Sequence, residues 1–334
     1  MEMKYNDIYF SPKYGKLYEE IEKGKVEVFK YESDIGSVSN MFIKREIPIT
    51  LEGIKYYDII TPYGYGGPII VSCCDESKRK ELVRGYHDKF MSYCLENNIV
   101  AEFIRFHPIN DNARDFMEIY DVEFLRKTVA TNIKDYDDPI QSEFKKGCRK
   151  EIRRAVKHGV TYRIIKSPDN LDVFKELYYK TMDRNNADDY YYFDDKYFNN
   201  ILINFKDQVL ITELIYEGKI IASELYFVSD KLIHAHLLGS LDEYLHLSAG
   251  VLLEYATVLW GKENGYHYLH HGGGRTNDEN DLLFRYKKKF GKNTEFNFYI
   301  GKKIWNLDVY KKLVEASNVD PNVNFFPAYR SKVR

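Results

Sequence analysis

The sequence predicts a mixed α/β (α+β) chain built as two tandem units, each a mixed β-sheet with helices on both faces. Three observations carry this reading. The 334 residues and 39.6 kDa suit about two domains of ordinary size. Two-residue connections, Glu217-Gly218 and Ser229-Asp230, join strand-like runs as antiparallel neighbours. The halves also repeat one order of elements with little residue identity: strand, helix, several antiparallel strands, long helix, short strand, shorter helix, strand.

Each element has a local reason. Ser11-Pro12 opens a helix whose inward residues are Tyr14, Leu17, Tyr18 and Ile21, and Gly24 stops it. Strand-like runs follow at Val26–Tyr31, Val38–Ile43 and Lys55–Ile60. Asp75 caps a long helix to about Asn97, with Leu82, Tyr86, Phe90 and Cys94 on one stripe. The apolar strand Ile99–Phe106, a short helix over Asp111–Met117 and the strand Val122–Ile133 close the first half. In the second half a helix is expected from Gln141 to His158, then the strand Tyr162–Lys166. Helices over Ser167–Asp183 and Asp194–Phe205 precede strands Val209–Tyr216, Ile220–Val228 and Leu232–Gly239. A helix over Ser248–Asn264, the strand Tyr266–His270, a helix over Asn277–Phe290 and the strand Thr294–Ile300 complete it. The expected domains are 1–140, with 303–334 packing back on it, and 141–302.

Composition narrows the function. The 49 Lys and Arg balance 51 Asp and Glu, so the chain is no all-over electrostatic binder of nucleic acid, although one basic face remains open. Four cysteines without metal spacing give neither a disulfide framework nor a zinc site. His234 and His236 alternate on a strand without carboxylate or cysteine partners, so no metal is expected. No segment reaches the roughly 20 apolar residues of a membrane span, and MEMKYNDIYF has no signal-like apolar run, so a cytoplasmic location is expected.

Three features carry chemistry. Lys145, Arg149, Arg153 and Lys157 recur every four residues, beside the row Lys146, Lys150, Arg154 and His158. This face suits a phosphate-rich partner, a nucleic-acid backbone or a diphosphate, with Arg149 and Arg153 best shaped for phosphate; it equally suits a solvated face with acidic neighbours. His270-His271-Gly272-Gly273-Gly274-Arg275 calls for close approach by a ligand or for a tight turn, and precedes Tyr286-Lys287-Lys288-Lys289-Phe290-Gly291. Thr61-Pro62-Tyr63-Gly64-Tyr65-Gly66-Gly67-Pro68 suits an aromatic ligand wall or a crossover loop, and Arg105-Phe106-His107-Pro108 ends a strand of the same half.

At these residues the chain resembles the FemAB/FemX-like aminoacyltransferases, a branch of the GNAT-type acyltransferase superfamily. The resemblance rests on Tyr57-Asp58, the Tyr63 loop, Arg105–Pro108, Arg149–Ala155, Gly272–Gly274 and Phe284–Gly291, in family order along nearly the whole chain. It implies two GNAT-like domains. It also implies transfer of an amino acid from aminoacyl-tRNA to an amine of a peptidoglycan precursor that carries a diphosphate, with transient contact with the inner membrane face when that precursor is lipid-linked. The catalytic residue it implies is Lys287, tied to the reactive carbonyl. The expected substrate-binding residues are Tyr63, Tyr65, Arg105, His107, Arg149, Arg153, Gly273, Arg275 and Tyr286.

Some relatives carry a helical arm linked to tRNA; Ser167–Phe205 is too short for one, so the chain matches armless, monomeric members. Related sequences use an acyl-CoA to acylate amino sugars. Here Leu247-Ser248-Ala249-Gly250 stands where the GNAT pyrophosphate loop would lie, so no cofactor is expected and acetyl-CoA or another acyl-CoA is the donor only in that alternative. In either chemistry an amine attacks an ester or thioester held beside it, without a covalent enzyme intermediate. Tyr63 and Arg105 are expected to face a cleft from the first domain, Gly273 and Lys287 from the second. Helical register turns Leu283, Tyr286, Lys287 and Phe290 inward and Lys288 and Lys289 outward.

Overall fold

The computed structural model describes residues 5–320 and 323–331. In chain order the first elements are α1 (Pro12–Leu17), β1 (Gly24–Ser33), β2 (Gly36–Glu46), β3 (Tyr57–Ile60), β4 (Ile69–Cys73), α2 (Arg79–Glu96), β5 (Ile99–Arg105), α3 (Ala113–Phe116) and β6 (Asp121–Asn132). There follow α4 (Pro139–Glu143), α5 (Lys146–Lys157), β7 (Thr161–Lys166), α6 (Asp172–Arg184), α7 (Asp195–Phe205), β8 (Val209–Tyr216), β9 (Lys219–Ser229) and β10 (Leu232–Ser240). The last are α8 (Ala249–Glu263), β11 (Tyr268–Gly272), α9 (Leu282–Lys287), β12 (Glu295–Ile304) and α10 (Leu307–Ala316).

The chain forms two compact units, Met1–Leu125 with Asn297–Arg334, and Arg126–Phe296. These divisions differ from the boundaries read at 140 and 302. The reason is that each crossing falls inside a long, unbroken strand, β6 or β12, with no linker composition to mark it.

In the first unit β1, β2 and β3 run antiparallel, β3 pairs with β5 in parallel, and Ile300–Ile304 of β12 closes antiparallel on β5. The parallel step needs a crossover, supplied by α2, whose Leu82, Val83, Tyr86, Phe90 and Cys94 are buried. Burying such an apolar stripe stabilises the unit by about 1.5–3 kcal/mol per large side chain. The strand β4, to which the sequence analysis assigns no element, pairs with β2. No strand precedes α1 among the described residues, whereas the repeat read from sequence opens each half on a strand. The last segment packs in this unit. Leu313 and Val314 of α10 join Ile47, Val100, Ala328 and Tyr329, and Arg330 pairs with the fully buried Asp58 at 2.5 Å. Pro321, within the tail expected to pack back on the first domain, lies outside the described residues.

In the second unit β7, β8, β9 and β10 run antiparallel, β10 pairs with β11 in parallel, and β6 closes antiparallel on β11. Here α8 makes the crossover. Its sequence is apolar nearly all round, and Val251, Leu252, Leu253, Ala256 and Val258 are buried. Each unit is thus an antiparallel run, one parallel pair and an antiparallel closing strand, the GNAT-like plan expected for both.

Several helices differ from the sequence reading; the one expected to run until Gly24 ends at Leu17, and the one expected from Ser167 starts at Asp172. The helix expected over Gln141–His158 is α4 and α5, broken at Phe144 and Lys145, both extended. Tertiary bonds impose the break: Lys145 N donates to Lys289 O at 2.8 Å, and buried Glu143 receives Asn293 N at 2.9 Å. The helix expected over Asn277–Phe290 is only Leu282–Lys287, started by Asp281, whose side chain accepts from Phe284 N.

Candidate active site

The site in the second unit is built where β11 ends. From Gly272 the chain passes through a turn-rich segment into α9, and one carboxylate organises that segment. Asp281 accepts from Phe284 N at 2.9 Å, Thr276 N at 2.9 Å and Arg275 N at 3.0 Å. The bond from Phe284 N leads these in holding the Asp281 carboxyl down at about 2. A side chain on Gly274 would stand 2.5 Å from Asp281 Oδ1, so this glycine serves the turn itself.

Lys287 is the last residue of α9. Its ammonium donates to Gly273 O at 2.8 Å. An ammonium has three donors, so two are left, and no acceptor among the described residues takes them. Burial lowers its pKa to about 8, opposed by the charges of Glu254 and Glu224. At neutral pH the group is therefore mostly a desolvated cation. The Tyr286 ring lies edge-on to Phe290 at 5.1 Å, and its hydroxyl is against α8, where a Cβ on Gly250 would lie 2.2 Å from it. Burial drives the Tyr286 phenol well above its ordinary value.

Two carboxylates are buried beside this lysine. Glu224 of β9 accepts from Tyr226 Oη at 2.7 Å. Burial and then the charge of Glu254 push the Glu224 carboxyl well up. Glu254 of α8 is 5% exposed, and its Oε2 has no hydrogen bond among the described residues. Nδ1 of buried His271 lies 3.3 Å from that oxygen, at an angle outside hydrogen bonding. Thr131 links Nε2 of His271 to the Phe290 carbonyl, both at 2.9 Å.

The residues expected from sequence divide. Lys287, Tyr286 and Gly273 come together. Arg275 and Arg153 are exposed. Arg149 is not the free phosphate ligand expected: it donates to the Phe144 and Gln141 carbonyls and so staples the break between α4 and α5. The other basic residues of that face stay open. Lys145, Lys146, Lys150, Arg153, Arg154 and Lys157 are exposed and form no ion pair among the described residues, while Arg154 reaches Ser248 Oγ at 3.1 Å. Lys288, expected in solvent, is stapled inward: its ammonium lies 2.7 Å from Glu295 and donates to the Gly291 and Lys292 carbonyls, each at 3.0 Å. Lys289 is half-buried, with its ammonium 5.5 Å from the centre of the Tyr286 ring.

In the first unit Tyr63 stacks on Tyr18 at 5.9 Å, and Tyr65 meets Tyr9, His107 and Phe298 edge-on. Arg105 donates to Thr61 O at 3.0 Å, with its guanidinium 5.3 Å from the Phe103 ring centre. These three side chains are half-buried and hold the loop while keeping some accessible surface. His107 is different. It is fully buried, Nε2 lies 3.2 Å from Asp7, and Nδ1 accepts from Asn110 N at 3.1 Å, so it is a post under the loop rather than a substrate contact. Two surface cavities, of about 360 and 310 Å³, are lined by none of the sequence-predicted site residues.

Glu224, Glu254 and Thr131 were missed by the sequence reading, which noted His271 only as part of the glycine-rich segment. The one signal available was a lone carboxylate in an apolar element, in Ile220–Val228 for the first and Val251–Trp260 for the second.

Comparison with known proteins bears on this unit above all. Residues 142–288 match a protein family described as acetyltransferase (GNAT) domain. No curated protein sequence matches the chain. Among solved structures, FemX superposes with a TM-score of 0.70 at 13% identity, covering 93% of this chain and 95% of FemX. The C-terminal domain of an Agrobacterium fabrum protein, provisionally named a lysylphosphatidylglycerol synthetase, gives 0.56 at 14% identity over 92% of this chain and 91% of that one. L-PGS from Bacillus licheniformis gives 0.52 at 14% identity over 86% and 90%. At these identities the likeness is one of fold, and the fold is GNAT-like.

Proposed function

We propose that the protein transfers an amino acid from aminoacyl-tRNA to an amine of a peptidoglycan precursor's stem peptide, directly between the two bound substrates. The observation that carries this reading is Lys287: a desolvated ammonium, anchored by one bond to Gly273, with two donors unused. Attack of an amine on an ester carbonyl builds negative charge on the carbonyl oxygen. A fixed cation facing that oxygen in a water-poor site lowers the barrier by several kcal/mol. Orientation supplies the rest, so no covalent enzyme intermediate is needed.

The open cations of α5 support a polyanionic donor. Six exposed Lys and Arg side chains without carboxylate partners repel one another until phosphates neutralise them. Tyr63, Tyr65 and Arg105 are the groups of the first unit proposed to hold the acceptor, a precursor bearing a diphosphate and, when lipid-linked, presented at a membrane surface. No described helix is long and apolar enough to cross a membrane.

A second reading, acyl-CoA-dependent N-acylation of an amino sugar or other small amine, is favoured by the GNAT family match over 142–288. The two separate in one experiment. Purified protein is incubated with charged tRNAs or with acetyl-CoA, together with stem-peptide and amino-sugar acceptors, and products are followed by mass. Transfer from charged tRNA to the stem-peptide amine is the expected result; transfer only from acetyl-CoA would establish the second reading, and transfer from neither donor would defeat both.

A further inference from the structure

The Glu254–His271 contact has no place in the reading above, and its proton count is unusual. Thr131 has a single hydroxyl proton, and that proton goes to the Phe290 carbonyl. Its oxygen must then accept from His271 Nε2, 2.9 Å away, so Nε2 carries a hydrogen. On the other side of the ring Nδ1 faces Oε2 of Glu254 at 3.3 Å, and neither atom has another partner among the described residues. Were the ring neutral and the carboxylate ionised, a nitrogen acceptor and a carboxylate oxygen would lie 3.3 Å apart in a buried place with no donor for either, a costly arrangement. One proton between them removes the conflict. It belongs either to a carboxylic acid donating to Nδ1 or to an imidazolium donating to the carboxylate.

The position of the pair ties it to the lysine. His271 is two residues before Gly273, the anchor of Lys287. Glu254 stands one helical turn after Gly250, where the Tyr286 hydroxyl meets α8. The groups around the pair are Glu224 and Tyr226 from β9, Tyr286 and Lys287 from α9, and Thr131 from β6. In free enzymes such contacts are often out of line and tighten with substrate.

We propose that Glu254 and His271 hold one shared proton and form the relay that takes the proton of the attacking amine and returns it to the leaving group. This rests on the transfer proposed above. As the nitrogen–carbon bond forms, the amine's proton passes to the Glu254 carboxylate, while the ammonium of Lys287 faces the carbonyl oxygen. As the carbon–oxygen bond to the donor breaks, that proton goes to the departing oxygen. The amine loses one hydrogen, the donor's hydroxyl gains it, and the relay ends as it began.

Two measurements on the full chain test this. In ¹⁵N-histidine spectra of the free protein, His271 should carry hydrogen on Nε2, and its Nδ1 signal should move in Glu254→Gln; hydrogen on Nδ1 alone, or no movement, overturns the shared proton. In steady state, Glu254→Gln should lower kcat by about 10²-fold or more with the stem-peptide amine, with KM changing by less than about threefold. With hydroxylamine, which sheds the same nitrogen proton as the bond forms, the loss should be of similar size. Glu254→Asp, which keeps the carboxylate, should recover part of the rate. No loss with either acceptor, or a loss confined to KM, overturns the relay. Wild-type protein that transfers to neither acceptor would defeat the parent reading, while the spectra still decide the shared proton.

Discussion

Both units bury carboxylates, and Glu102 of the first and Glu254 of the second are treated in opposite ways. Glu102 on β5 of the first unit is 1% exposed, and both of its oxygens are taken: Asn40 Nδ2 donates at 2.9 Å and Trp305 Nε1 at 3.1 Å. Around them Tyr86 also receives Asn40 Nδ2, and it meets Tyr120 at 3.2 Å. Glu254 in the second unit is as deeply set, yet one of its oxygens is left facing a histidine nitrogen that is equally unpartnered. Satisfied buried polar groups fix a core, while unsatisfied ones are costly and persist where chemistry uses them. The first unit thus uses its acid as a strut, and the second keeps an acid, a histidine and a cation together without closing the network.

The largest expected effect lies on the open side of this contrast. Lys287→Met removes the charge and keeps much of the stem, so kcat should fall by about 10²-fold or more with a much smaller change in KM. Steady-state rates, with circular dichroism to check folding, measure it; unchanged kcat would take Lys287 out of the mechanism.

The next prediction concerns the strut. Burial raises the Glu102 pKa to about 7 despite its hydrogen bonds. Between about 4.5 and 7 the folded chain therefore binds a proton that the unfolded chain has lost. That contribution to stability is present at low pH and disappears as pH rises through about 7. It is on the order of 3 kcal/mol for a shift of this size. Urea unfolding of the first unit at several pH values should show the decline, and Glu102→Gln should flatten it. An unchanged slope would mean that another group titrates.

Lys288 gives a smaller effect. Its ion pair with Glu295 and its bonds to two carbonyls tie down the turn after α9. Lys288→Met should destabilise the second unit by about 1–3 kcal/mol. Activity should fall by less than about tenfold, since the residue acts through Lys287's support. A rate loss equal to that of Lys287→Met would place Lys288 at the carbonyl. The smallest effect is expected at Arg153. Arg153→Ala should weaken charged-tRNA binding only a few-fold and reduce the magnitude of its salt-dependence slope by about one. Filter binding across salt concentrations reads both, and an unchanged slope would remove α5 from the donor site.

Much of this was legible in the sequence because it is written in local patterns. The stripe Leu82, Tyr86, Phe90 and Cys94, the helix expected over Asp194–Phe205, and the two-residue turns at Glu217-Gly218 and Ser229-Asp230 each act within a few residues. The residues Tyr286 and Lys287 were readable because the family resemblance singles them out. What stayed hidden is set by partners far along the chain. Arg149 and Lys288 read as surface cations because nothing nearby shows that main-chain carbonyls wait for them. The break at Phe144 depends on Lys289 and Asn293. Glu254 and His271 meet from a helix and a strand with no common spacing, so only the apolar company of Glu254 could have given them away.

The contrast between the two acids is tested most directly by Glu102→Gln and Glu254→Gln measured side by side, for aminoacyl-transfer rate and for unfolding across pH. The account predicts a crossed result: Glu102→Gln keeps the wild-type rate within about threefold and loses the pH dependence of unfolding, while Glu254→Gln loses about 10²-fold in rate and keeps that pH dependence. If both variants lose rate alike, or if Glu254→Gln changes only stability, the division of the two buried acids into strut and relay is wrong.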